Sequence, residues 1–151
     1  MLNKVFKYAK IQISEVISSP SCRARQTALI GFDRIDSVNK NIAAYMFSNK
    51  KELQQKFRNF LLSLKVPLGK NIVISGHGGT LTPSMVDNDE ITPKKKRKFW
   101  EIFKSKPISE IGHVGESGFT IVQKIENKLI ARHTFYNLKD FAEAAMSNLS
   151  K

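Results

Sequence analysis

The chain has 151 residues, 41% of them apolar and 25% charged, with ten phenylalanines spread from end to end; this supports one folded domain over 1–151 and excludes a disordered or low-complexity chain. Lysine and arginine outnumber aspartate and glutamate 25 to 13, a net charge of +12, so partners are expected among anions such as phosphates, nucleic acid or acidic lipid. Cys22 is the only cysteine, which excludes an intrachain disulfide and an all-cysteine metal site and fits a reducing compartment.

In chain order, Leu2, Val5, Phe6, Ala9 and Ile13 recur at helical spacing and predict an opening helix. Lys7 and Lys10 interrupt any run that could serve as a signal-peptide core, and no later apolar stretch approaches a membrane span. A soluble, cytoplasmic protein with no membrane partner is expected. A short strand over 15–17 stops before Pro20, and Ser19 or Ser21 can cap a helix running to about Ile30. Residues 31–49 read as irregular. Leu53, Phe57, Phe60, Leu61 and Leu64 mark one face of the next helix, with Ser48 or Asn49 as its cap and Pro67 and Gly69 as its end. The run 71–75 (NIVIS) predicts a strand buried on both faces of a parallel sheet, with His77, Gly78 and Gly79 just beyond it.

Residues 82–117 read as a basic loop insertion carrying the run Pro93–Lys98 and one helix around Phe99, Trp100, Ile102 and Phe103. A hairpin follows, 119–125 and 128–136 around the turn-prone pair Glu126 and Asn127. Leu138, Phe141, Ala142, Ala145, Met146 and Leu149 predict a closing helix. Helices alternating with short apolar strands imply a three-layer α/β domain whose ligands bind at the carboxyl ends of the strands.

Two segments lie at such strand ends. SSPSCRARQTA, 18–28, places Arg23 and Arg25 and the free N–H groups of a helix start just beyond a strand, which makes an anion site. SGHGGT, 75–80, places the His77 imidazole among glycines that allow close approach to the backbone. Together they resemble the histidine phosphatase, or phosphoglycerate mutase-like, superfamily, whose members carry SSPxxRAxQTA and a later strand ending in SHGGT. The resemblance implies a three-layer α/β/α sheet and phosphomonoester chemistry without cofactor or metal. By the same resemblance Arg23 binds the phosphoryl group, His77 stabilises its charge, and Ser19 and Gly78 complete the phosphate-binding set.

The chain departs from that pattern where the family's nucleophile belongs. The family carries it as the histidine of an RHG motif on a first, central strand; only 17 residues precede Ser18, and none is histidine. The expectation is a truncated or degenerate member missing that strand, with an apolar gap beside the strand at 15–17. Ala131-Arg132-His133-Thr134 is a weak substitute for RHG, because adjacent residues of a strand face opposite ways and His133 shares its face with Leu129 and Phe135. The general acid has no recognised position; Gly78 stands where one branch has aspartate, leaving Asp36, Glu52 and Glu116 as weak candidates. A cysteine-phosphatase mechanism is rejected because Ala28, six residues after Cys22, stands where the arginine belongs. Cys22 reads as a small buried residue and Arg25 as an exposed one, turned away from Arg23.

The basic run at 93–98 resembles a nuclear import signal, though a solvated loop ranks first, and spacing alone does not assign His113. The expected function is binding or impaired hydrolysis of phosphomonoesters, with a phosphorylated small molecule or phosphoprotein as partner. The alternatives are a non-catalytic phosphate-binding module and, ranked last, a basic nucleic-acid binder using 94–98.

Overall fold

The computed structural model describes residues 2–42, 50–77, 85–87, 118–135 and 137–147. Helix α1 spans Leu2–Tyr8 and ends sooner than its apolar spacing implies. Lys10 adopts the left-handed conformation (φ 56). Its N–H donates to the Lys7 carbonyl (3.0 Å) and that of Ile11 to the Phe6 carbonyl (2.8 Å), the paired bonds of a Schellman turn. Ile13, expected at the end of the helical stripe, instead opens strand β1, Ile13–Ser18.

Beyond β1 the chain turns through Ser19 and Pro20 into α2, Cys22–Phe32, with Ser21 as its N-cap. The segment read as irregular contains a two-residue strand, β2, Ser37–Val38, and a 3₁₀ turn, Lys40–Ile42. Asp36 seats this strand: its Oδ2 accepts the Val16 N–H at 2.7 Å and pairs with Arg34 Nε at 3.2 Å. Helix α3 is Lys50–Ser63 and strand β3 is Asn71–Ser75. The cap candidates Ser48 and Asn49 lie outside the described residues. Asn71 is exposed and Ile72–Ile74 are half-buried, so β3 does not reach the expected burial on both faces.

These three strands form a parallel sheet in the order β2-β1-β3. Ser18 stands opposite Val38 on one side and Ser75 on the other. Strand β2 flanks β1 only at Ile17 and Ser18, and a hollow lined in part by Ile11, Ile13, Val16 and Phe32 lies beside the amino half of β1, where the apolar gap was expected. Strands β4, Phe119–Ile125, and β5, Lys128–Phe135, form the expected antiparallel hairpin. Glu126 supplies the positive φ of its turn (φ 52). Helix α4, Leu138–Ser147, follows. The fold is mixed α/β, with a small parallel sheet and an antiparallel pair.

Two clusters hold the elements together. Ile17, Ile42, Phe57, Leu61, Met85 and Leu129 form a buried core between the sheet, α3 and β5. Met85 belongs to the segment read as an insertion, yet it is only 2% exposed. Its neighbour Asp87 accepts the Leu129 N–H (2.8 Å) and two bonds from Arg58 Nη2 (2.8 and 3.0 Å), while Arg58 Nη1 also donates to the Met85 carbonyl. The second cluster is aromatic. Phe6 of α1 meets Phe32, Phe119 and Phe141 at centroid distances of 5.5, 6.1 and 5.1 Å, and Phe135 meets Phe119 and Phe141 at 5.0 and 5.3 Å. Among the described residues no helix is long and apolar enough to cross a membrane.

Candidate functional site

Strands β1 and β3 are parallel neighbours in register at their carboxyl ends, so the chain leaves both at the same place. The ladder continues one step beyond the strands, where the Ser19 N–H donates to the Ser75 carbonyl at 2.8 Å. Ser75 Oγ donates to the Ala24 carbonyl at 2.7 Å, tying the end of β3 to the first turn of α2. Ser18 Oγ donates to the Ser19 carbonyl at 2.9 Å. Ser18, Ser19 and Ser75 are all buried, and this hydrogen bonding is what lets three hydroxyls sit in the interior.

The ring of His77 closes onto this turn. Its Nε2 lies 3.1 Å from Ser19 Oγ and 3.0 Å from Ser21 Oγ. Each hydroxyl oxygen also accepts a backbone N–H, Ser19 Oγ from Ser21 (3.4 Å) and Ser21 Oγ from Ala24 (3.3 Å). Each hydroxyl proton is thereby available to point at Nε2. Partial burial holds the imidazole below its ordinary pKa of 6.5, and the nearby Arg23 charge lowers it further; both favour the neutral ring.

Helix α2 completes the arrangement. The Ala24 N–H is capped by Ser21 Oγ and the Arg25 N–H bonds the Ser21 carbonyl. The N–H groups of Cys22 and Arg23 have no partner among the described residues, and at the first two helical positions they point out of the helix start. A helix start with two open N–H groups, a guanidinium, a hydroxyl and an imidazole is chemically suited to an oxyanion.

No family model, curated protein or solved structure matches the chain.

Of the residues singled out in the sequence, Ser19, Arg23 and His77 come together here, and Gly78 lies outside the described residues. Arg25 is exposed, as is Cys22, which corrects the reading of Cys22 as a small buried residue. Neither remaining acid candidate joins the site: Asp36 holds β1 and Arg34, and Glu52 is an exposed partner of Lys56 one turn away on α3. Glu116, His113 and the basic run at 93–98 lie outside the described residues. His133 packs its ring on Phe135 (4.3 Å). Arg132 and His133 are both exposed, beside a bulge in the pairing of β4 with β5.

The sequence reading missed Ser75 as a tie between β3 and α2, and it took Ser21 only for a cap. The clue available was the density of hydroxyls, three within Ser18–Ser21 and one more at the end of the other strand. A hollow of about 260 Å³ lined by Lys7, Ile13, Phe32 and Arg34 lies elsewhere, toward the amino end of β1, and shares no residue with this site. Among the described residues no group of His, Cys, Asp and Glu side chains is placed to hold a metal ion.

Proposed function

We propose that the chain is a phosphate-binding domain of histidine phosphatase type, with a three-layer α/β/α sheet and a pocket for phosphomonoesters built on Arg23 and His77. One observation carries this reading. His77, 58 residues after Ser19, is brought by the pairing of β1 and β3 onto the SSPSCR turn, where two hydroxyls hold its Nε2 beside Arg23. Those are the two segments on which the family resemblance rests. The net charge of +12 favours an anionic ligand.

The 151 residues contain no RHG motif, so the family's phosphohistidine chemistry has no attacking group in this chain. Binding without efficient hydrolysis is the expected behaviour, for a phosphorylated small molecule or a phosphoprotein. Calorimetric titration with inorganic phosphate or vanadate tests it. Arg23→Ala should weaken binding at least tenfold, in line with about 1.5–3 kcal/mol for a charge-assisted hydrogen bond, and p-nitrophenyl phosphate should turn over slowly or not at all. Equal affinity in Arg23→Ala, or hydrolysis at ordinary enzymatic rates, would refute the reading.

A further inference from the structure

We infer that Ser21 is a nucleophile served by His77, so that the pocket transfers a phosphoryl group onto its own serine. This deepens the phosphate-binding reading and rests on it, because that reading supplies the electrophile. The contact between Ser21 Oγ and His77 Nε2, 3.0 Å, is the separation at which an imidazole takes up a hydroxyl proton as the oxygen attacks. Its direction suits the task. Ser21 Oγ already accepts the Ala24 N–H and has its own proton to give, and a neutral ring with its proton on Nδ1 offers Nε2 a lone pair to receive it.

Ser19 Oγ is almost as near to the same nitrogen, but Ser19 is fully buried. It steadies the ring; a ligand cannot reach it. Ser21 is half-buried and stands at the mouth of α2. An electrophile at Ser21 would set its oxygens against the open N–H groups of Cys22 and Arg23 and the Arg23 guanidinium, which favours phosphorus over an uncharged acyl carbon.

In the step, Ser21 Oγ forms a bond to phosphorus and its proton passes to Nε2. The bond from phosphorus to the leaving oxygen breaks, and that oxygen keeps the electron pair. The imidazolium then returns its proton to water. In-line displacement puts the leaving group on the side of phosphorus away from Ser21, and therefore away from His77, which cannot protonate it. The donor must have a leaving group stable as an anion. That selects acyl phosphates and aryl phosphates and excludes simple alkyl phosphomonoesters. The product is a serine phosphate ester, so the reaction labels the chain once instead of turning over.

The test is incubation of the full 151-residue chain with acetyl phosphate, followed by intact-mass measurement and peptide fragmentation. The expected result is the mass of one phosphoryl group, acid-stable and located at Ser21. Ser21→Asn, which keeps a capping oxygen, should abolish the label, and His77→Asn should slow it about a hundredfold. The rate in the unaltered chain should also fall as the imidazole protonates, a reading that needs no variant to fold. Label at any other residue, an acid-labile label, or labelling indifferent to both His77→Asn and pH would overturn the inference. No label in a chain that still binds inorganic phosphate would overturn it while leaving the phosphate pocket standing. No label together with no phosphate binding would remove both.

Discussion

Asp87 joins two elements through one carboxylate, receiving the Leu129 N–H of β5 and the Arg58 guanidinium of α3, while its own N–H donates to the Leu129 carbonyl at 2.7 Å. Asp87→Ala would leave a partly buried guanidinium and a strand N–H without their acceptor. The expected cost is about 1–2 kcal/mol, read as a lowered urea midpoint at pH 7; with Asp87 about a third exposed, solvent screening keeps it in the lower range. The Leu129 N–H, with help from Arg58 and against the opposing effect of burial, holds the carboxyl below its ordinary 3.8. A depressed carboxyl stabilises fully above its unfolded pKa, and that contribution disappears as pH falls through the folded value. The difference between the unaltered chain and Asp87→Ala should therefore be flat from neutrality to about pH 5 and close in more acid solution. A gap that stays constant into the acid range would mean that Asp87 acts through packing and not through its charge.

Among the elements, the end of α1 offers the clearest single change. Lys10 bears a side chain in a conformation that costs L-residues about 1 kcal/mol, and no glycine was available to mark the helix end. Lys10→Gly should raise stability by about 0.5–1 kcal/mol, after the greater freedom of glycine in the unfolded chain is set against the relieved strain; thermal melting of the two proteins measures it. An unchanged or lowered midpoint would mean that the lysine stem contributes more by packing than its backbone loses. The same turn shows where sequence pattern stops informing. Periodicity registered that Ile13 is apolar but could not show that a left-handed residue intervenes. Helix α3, β3 and the hairpin were legible because their signals are local: one apolar face, one β-branched run, one turn pair. Strand β2 was not, since both its residues are exposed and Asp36, a neighbour outside the strand, seats it. Met85 was misread because two adjacent apolar residues, Met85 and Val86, in a polar stretch show no period. Arg23 and His77 stood out in their motifs, whereas the contact of Ser21 with His77 depends on a strand pairing across more than fifty residues that no local pattern specifies.

At the scale of the whole molecule, the parallel sheet and the aromatic cluster divide the labour. The sheet, α3 and β5 surround the buried core, and the carboxyl ends of β1 and β3 bring Ser19, Ser21 and His77 together. The charge of +12 acts over a longer range, drawing anions toward the surface before any specific contact forms, an effect that falls with ionic strength. The phenylalanines do something else: Phe6 near the start of the chain rests on Phe141 near its end, with Phe119 against both. Helices α1 and α4 thus share one patch of buried ring surface, and neither can leave without uncovering the other. They should open to solvent as a unit, at a lower free energy than the aliphatic core. In hydrogen-exchange measurements on Phe141→Leu, the amides of α1 should lose protection together with those of α4 while α3 keeps its own. Loosening one end of the chain would then unlatch the other.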